Sequence, residues 1–397
     1  MRILLLNLYY PPDTSATAKM AATVVEALGA KHQVTVVCGR PSYDPSERHP
    51  WYLYRREEHG NITILRTGST DYPRFRLKQR VLNYLSYAAL AVPRTLFISA
   101  DVVLAMTDPP FEGILGAFVA LLKRRRFIYN IRDMYPDMAL GGGIIPAGRA
   151  ARIWERLHRW ALRRAARVIV LGEDMRERII AKGIDATQVS IVRDGVGVPE
   201  RVCVDPAVIS AIRADAQFVF LHAGNLGFYG AWETLIDAAR QVQDDGIDLV
   251  FVGEGAQLAR VRSAAAGIKN VRFLPFFAPE KIASVLAAAD AHVVTVKGGL
   301  EGVVVPSKLY GILAAGKPVL AVARGSCDAA RIVQRQGCGL TADPDDPAAV
   351  AHAMREMARN PSVISEMSGR ARAIAPDYDK LTHLGRFVQT IEEAAAR

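Results

Sequence analysis

Short β-branched runs alternate with longer amphipathic stretches along the whole chain, and that alternation leaves few folds open. Ile3–Leu6, Gln33–Val37, Ile62–Arg66, Val102–Ala105, Phe127–Asn130 and Val168–Leu171 have the length and composition of buried strands. Helical patterns such as Ala16–Leu28 and Pro110–Leu122 stand between them. Strands joined through helices return to the same end of a sheet and therefore pair in parallel. The pattern restarts with Val219–His222, Asp248–Val252, Val271–Leu274, Ala291–Val294, Val319–Ala321 and Gly339–Leu340. The expectation is an α/β chain of two doubly wound parallel-sheet domains of similar size. Gly195, Gly197 and Pro199 crowd together after a strand-like Val189–Arg193, so the boundary is placed there, with domains at 1–195 and 196–376. The last segment, 377–397, carries Leu381, Leu384, Phe387, Val388 and Ile391 at helical spacing. Ligands of such sheets bind beyond the carboxyl ends of the strands, where strand order reverses, so function is sought in the loops there.

The charge is as uneven as the strand pattern is regular. The 397 residues carry a net charge of +10. Residues 1–195 hold 29 lysines and arginines against 18 acidic residues, and the remainder holds 21 against 22. Only the first half is expected to face something anionic. Four scattered cysteines (Cys38, Cys203, Cys327, Cys338) suit neither a disulfide framework nor a zinc site, which points to a reducing, cytoplasmic setting. The apolar start reads as a first strand rather than a signal peptide, since Asn7 and Pro11-Pro12 break it. The stretch Val81–Ala100 is interrupted by Asn83, Ser86, Pro93 and Arg94 and lacks the uninterrupted run of a membrane span.

The densest chemistry lies in Lys297-Gly-Gly-Leu-Glu301-Gly302-Val303-Val304-Val305-Pro306-Ser307-Lys308, a glycine-rich charged loop that follows a strand and enters a helix. Free N–H groups of a first helical turn, together with Lys308, suit a phosphate. Glu301 is unsuited to phosphate but accepts hydrogen bonds from sugar hydroxyls. A ligand with phosphate at one end and a polyol at the other would use both. The turn Gly224-Asn225-Leu226-Gly227 and Gly253-Glu254-Gly255, each after a strand, would let a diphosphate approach the backbone. In the first half, Arg132-Asp133-Met134-Tyr135-Pro136-Asp137 follows a buried strand. Asp137 fits a salt-bridged turn, whereas Asp133, a candidate catalytic residue with Glu301, would keep a low pKa if held by Arg132, which makes a poor base but a good hydroxyl anchor and leaves its role as general base open. None of the eight histidines stands in a ligand or base motif, and His222 reads as packing at a strand end.

Together these segments, with Tyr9-Tyr10-Pro11-Pro12 after the first strand, resemble the retaining GT-B glycosyltransferases of family 4, the group 1 transferases, over nearly the whole chain. The Pro-Ser-Lys-x-Tyr-Gly run is similar to the bacterial branch that transfers amino-deoxy sugars in surface polysaccharide (O-antigen or capsule) assembly. The resemblance implies two Rossmann-like domains facing across a cleft, acceptor bound by the first and nucleotide sugar by the second, with the C-terminal helix crossing back. It implies that Glu301 meets the donor sugar, that the backbone of Gly302, Val303, Val304 and Val305 follows sugar and phosphates with Ser307, and that Lys308 lies near the diphosphate. Asn225, Gly227 and Glu254 would complete the donor site. Asp133 would face acceptor or donor sugar, beside Arg132 and Tyr10. The family's second glutamate, which binds ribose, is replaced by Gly311, and its basic pair after Gly-x-Leu-Gly by Phe228, Tyr229 and Trp232. No Asp-x-Asp or His/Cys cluster suggests a metal, so no metal or other cofactor is expected.

Two basic amphipathic segments account for much of the excess charge. One holds Arg74, Arg76, Lys78 and Arg80 with Tyr84 and Tyr87; the other repeats arginine at 149, 152, 156, 159 and 163 beside Ile153, Leu157 and Trp160. Such helices suit an anionic leaflet. A polyprenyl-diphosphate-linked saccharide at the cytoplasmic face of the inner membrane would explain charge and surface together, with a UDP-sugar as donor. The alternatives are a nucleotide-sugar epimerase on the same fold, a GDP-sugar-dependent mannosyl-type transferase, or a silent nucleotide-sugar-binding scaffold. Nucleic acid is disfavoured, since no recognition motif supports it.

Overall fold

The computed structural model describes residues 1–42, 50–72, 76–197 and 204–396. The first sheet is built from β1 (Arg2–Leu6), β2 (Gln33–Gly39), β3 (Tyr54–His59), β4 (Ile62–Thr67), β5 (Val102–Ala105), β6 (Arg126–Asn130), β7 (Ala165–Val170) and β8 (Val189–Ile191). Its helices are α1 (Ala16–Gly29), α2 (Leu77–Leu96), α3 (Glu112–Lys123), α4 (Asp137–Gly141), α5 (Arg149–Arg164) and α6 (Glu173–Ala181). The strand order is β3-β4-β2-β1-β5-β6-β7-β8, and every pair is parallel except β3 with β4. After α7 (Pro206–Arg213) the second sheet follows: β9 (Phe218–Ala223), β10 (Ile247–Val252), β11 (Val271–Leu274), β12 (Ala291–Thr295), β13 (Val319–Val322) and β14 (Gly339–Ala342). It is wholly parallel in the order β11-β10-β9-β12-β13-β14. Its helices are α8 (Trp232–Gln241), α9 (Leu258–Ala264), α10 (Ile282–Ala288), α11 (Lys308–Ala314), α12 (Asp328–Gln336), α13 (Pro347–Arg359) and α14 (Pro361–Ile374). α15 (Lys380–Ala396) closes the chain.

Strand order reverses between β1 and β5 in the first sheet and between β9 and β12 in the second. In open sheets of this kind ligands bind beyond the strand ends at such reversals. β3 is the one strand absent from the sequence reading. Its side chains, Tyr-Arg-Arg-Glu-Glu-His, are mostly exposed, so no apolar alternation marks it. Its register, His59 opposite Ile62, is set by the two-residue turn Gly60-Asn61 with Gly60 at φ +59°, a hairpin signal written in the sequence.

α15 packs against α1 and buries Phe387, Val388 and Ile391 with Ile3, Val24 and Leu28 of the first domain. Its buried stripe is turned from the expected one: Leu381 is 76% exposed, and His383 lies inside instead. The two chain crossings between domains run side by side. The Val196 N–H donates to the Tyr378 carbonyl (2.9 Å), the Lys380 N–H donates to the Val196 carbonyl (3.2 Å), and a Cβ at Gly195 would stand 2.7 Å from the Tyr378 oxygen. Pro199 and Cys203 lie outside the described residues.

Candidate active site

On the second domain, the turn after β9 and the loop after β10 lie one on the other. A Cβ at Gly253 would stand 2.1 Å from the Gly224 oxygen, and one at Gly255 2.4 Å from the Leu226 oxygen, so only glycine allows this contact. The Leu226 N–H donates to the Glu254 carbonyl (2.8 Å), while the Glu254 side chain is exposed. Gly227 is buried, with its carbonyl taken by Trp232 Nε1 (2.7 Å), and the exposed Asn225 amide donates to the Tyr229 hydroxyl (3.2 Å). Phe228 lies against Gly142 of the first domain, its Cβ 3.5 Å from where a Cβ on that glycine would be, and both border a cleft of ≈ 290 Å³ that Lys297 also lines.

Lys308, at the start of α11, reaches back under this turn. Its ammonium stands 3.0 Å from where a Cβ on Gly224 would be, and 2.9 Å from Nε2 of His222 on β9. His222 is no mere packing residue. Burial, then the adjacent Lys308 charge, hold it well below its ordinary value, so its neutral ring can accept from the ammonium. Burial in turn lowers Lys308 to about 7. Ser307 is exposed beside it, and Gly311 has open space around its missing side chain, with only Leu286 at 3.9 Å from a built Cβ.

On the first domain, the loop after β6 differs from expectation in two ways. Arg132 does not hold Asp133: its guanidinium forms a bidentate pair with Asp194, beside the domain crossing, with Nη1 to Oδ1 at 2.9 Å and Nη2 on Oδ2. Asp133 is therefore not depressed. Burial first, and the Asp108 carboxylate second, push it up to about 6. Tyr10 is also corrected, since its ring lies in the core with Ile3, Val24 and Met106, 6% exposed, and not in the cleft. Asp137 pairs with Arg178 (3.0 Å) and Lys182 (2.8 Å), as a salt-bridged turn would.

The two domains are joined through the loop that carries Glu301. Asp133 and Val304 form an antiparallel bridge, and the Met134 N–H donates to the Val303 carbonyl (2.9 Å). The Gly302 N–H donates to Asp174 Oδ2 on α6 (3.0 Å). Gly302 has φ +67°, and a Cβ there would lie 2.4 Å from the Asp174 carbonyl oxygen. Arg178, one turn further along α6, donates through Nε to the Glu301 carbonyl and through Nη2 to that of Gly299, both at 3.0 Å. Asp174 also accepts from the Asp328 N–H (2.9 Å), and Asp328 accepts from the Glu173 N–H (2.9 Å) and from Arg193 (2.7 Å). The N-termini of α6 and α12 thus cap one another across the domains. Because Gly302, Val303 and Val304 spend backbone groups on this seam, they are not all available to a ligand. The Glu301 carboxylate accepts from the Gly299 N–H (3.1 Å). None of Asp174, Arg178, Asp194 or Asp328 stands out in the sequence, because partners from 41 to 154 residues apart leave no spacing signal. Among the described residues, no group of three or more His, Cys, Asp or Glu is placed to hold a metal ion.

Residues 15–195 match the glycosyl transferase 4-like domain, and residues 217–360 match the glycosyl transferases group 1 model. The chain belongs to the group 1 glycosyltransferases, with GT-B architecture, and is a glycosyltransferase. It is 25% identical over 414 residues, 98% of this chain and 100% of the other, to Escherichia coli WcaI, named as a colanic acid biosynthesis glycosyl transferase. It is 27% identical over 306 residues to WbjE, a named glycosyltransferase of Pseudomonas aeruginosa, covering 73% of this chain and 74% of that one. The crystal structure of Anabaena Alr3699/HepE with UDP and glucose superimposes with a TM-score of 0.72 at 19% identity, covering 99% of this chain and 100% of that one.

The raised Asp133 gives a stability prediction with a definite sign. An acid whose pKa is higher folded than unfolded costs stability once pH passes its folded value, and the cost vanishes below the unfolded value. Asp133→Asn should therefore be more stable than the wild type at pH 7.5, by on the order of 2 kcal/mol. The gain should disappear by about pH 4 in urea melts; a gain independent of pH would contradict this environment for Asp133.

Proposed function

We propose that the protein transfers a sugar, an N-acetylated amino or deoxy hexose, from a UDP-sugar to a polyprenyl-diphosphate-linked saccharide, with retention of configuration and without a metal. The observation that carries this reading is the Lys308 ammonium under the Gly224 turn, hydrogen-bonded to a neutral imidazole and ready for an anionic counter-charge. The donor diphosphate would lie there, neutralised by Lys308, Lys297 and the N-terminus of α8. Asn225, Gly227, Ser307 and the Glu254 loop would flank the nucleotide, and Glu301, in the cleft, would bind the sugar hydroxyls. That HepE is solved with UDP, UDP with glucose, and UDP-glucose supports a uridine donor. Asp133, ionised at neutral pH, would accept a hydrogen bond from the acceptor hydroxyl while the leaving phosphate takes its proton. Arg132 would hold the acceptor loop to the crossing instead of touching the acceptor.

The acceptor would be embedded in the cytoplasmic face of the inner membrane, in the assembly of cell-surface polysaccharide, the role that the WcaI name gives that relative. α2, α3 and α5 pack side by side and leave Leu82, Leu85, Phe118, Leu122, Ile153 and Leu157 exposed. Arg76, Lys78, Arg152 and Arg156 are exposed among them. Lipid would cover such a face, with apolar side chains in the headgroup boundary and cations at the phosphates. The sequence marks α3 as an ordinary crossover helix, Pro110–Leu122, and gives no sign that it shares this face. An open groove of ≈ 500 Å³ runs along α5; Asp137 and Glu155 line it and pair with Lys182 and Arg159, so Arg152 and Arg156 would be the cations that meet the acceptor's diphosphate there. Arg74 lies outside the described residues, and Arg80 is partly buried, so less of it would be open to lipid than the sequence pattern implies. No helix among the described residues is long and apolar enough to cross a membrane.

A panel of UDP-, GDP- and TDP-sugars with membrane lipid extract tests the reading: nucleotide release from a UDP-sugar that requires lipid is expected, and epimerised donor or a GDP-sugar preference would overturn it. Lys308 adds a pH signature. Free, its ammonium loses its proton as pH rises through about 7; bound diphosphate restores it. UDP binding should take up a proton at pH 8 and weaken by up to about tenfold per pH unit above 7, while Lys308→Met binds weakly and without that slope. Calorimetry in buffers of different ionisation heat measures both. Reversing Arg76, Lys78, Arg152 and Arg156 to Glu should release the protein from anionic liposomes in flotation, and unchanged flotation would remove this face from the membrane.

A further inference from the structure

The sugar-binding loop of the second domain is not held by that domain alone. Its bend at Glu301-Gly302 depends on a left-handed glycine, and three of its polar backbone groups are bonded to α6 of the first domain: the Gly299 and Glu301 carbonyls to Arg178, and the Gly302 N–H to Asp174. The fit is steric as well, because the Gly302 backbone lies so close to Asp174 that a single carbon would not pass. Arg178 is in turn oriented by Asp137, and Asp174 by the amides of Met175 and Asp328. A carboxylate 5% exposed that accepts three N–H groups has one low-energy position.

We propose that Asp174 and Arg178 are positioning residues of the transfer reaction: α6 sets the direction of the Glu301 carboxylate, so that the sugar subsite is complete only while the domains are docked along this seam, whereas the nucleotide subsite at Gly224 and Lys308 is complete in the second domain alone. This rests on the reading that Glu301 binds the donor sugar. Its consequence is a division of labour in which UDP binds independently of α6 but productive placement of the sugar does not. Displacing a sugar-binding group by about 1 Å can cost on the order of 100-fold in turnover without loss of nucleotide affinity.

The test is a double-mutant cycle on the full-length protein, with the UDP-sugar active in the panel and lipid extract as acceptor. Arg178→Lys keeps a cation for Asp137 but cannot reach both carbonyls; Asp174→Asn, a second route to the same end, sets an amide group against the N–H donors. Each should lower kcat by about 10- to 100-fold and leave the UDP dissociation constant within about threefold. In a Glu301→Ala background, each should lower kcat by less than about threefold further, because the group they aim is gone. Losses that multiply in the double variants, or single variants with wild-type kcat, would overturn the proposal while leaving Glu301 in place. If instead Glu301→Ala retains full turnover, the functional reading of that residue fails, and the proposal fails with it. A variant that loses UDP binding along with kcat would show a structural role only, and would also overturn it.

Discussion

A carboxylate taken out of water must be hydrogen-bonded, and Asp174 meets that demand with amides from the other domain. It sits in the first turn of α6, where its own helix supplies one N–H, from Met175; the other two come from Gly302 and Asp328, more than 120 residues away. Undocking the domains would leave it to water, and would leave the two amides and the start of α12 without their partner. Burial outweighs the three hydrogen bonds and raises the Asp174 carboxyl above its ordinary value, so losing the amides while the residue stays buried would leave it without compensation. Asp328 returns the favour to α6, and the surface pairs of Arg331 and Arg335 with Glu177 and Glu173 surround the joint. The cleft, the loop of Glu301 and the placement of Asp133 opposite Val304 all follow from this docking.

Electrostatics are arranged differently on the two sides of the cleft. In the first domain the cations within the fold are paired: Arg132 with Asp194, Arg178 and Lys182 with Asp137. Asp133 is buried beside Asp108, and the nearby Arg132 charge, committed to Asp194, offsets this only in part, so its carboxyl rises. In the second domain Lys308 leans on an uncharged ring instead of a carboxylate. One side therefore carries a carboxyl that is reluctant to ionise, the other an ammonium reluctant to stay charged. Polar groups in such states gain most from a ligand that completes them.

The regular parts of the fold were legible in the sequence because buried parallel strands announce themselves as apolar runs between helices. All twelve runs named from sequence are strands of the two sheets. What was not legible was pairing at a distance. Nothing in the local sequence says that Arg132 chooses Asp194 over its neighbour Asp133, that the Tyr10 ring turns into the core, or that His222 meets Lys308. β3 escaped because both of its faces are polar. The glycines were the best guides: Gly253, Gly255 and Gly302 each mark a backbone contact that no side chain could survive, and Gly224, at φ +142°, lets the Lys308 ammonium lie against its backbone.

The most direct measurement of this account is amide hydrogen exchange over residues 299–306 in the full-length protein, wild type and Asp174→Asn. If the loop is held by α6, that segment is protected in the wild type, and the substitution raises its exchange together with that of the first turns of α6 and α12, while the strands of both sheets keep their protection. A loop that exchanges freely in the wild type, or keeps its protection when Asp174 is changed, would contradict the claim that the first domain builds the sugar subsite of the second.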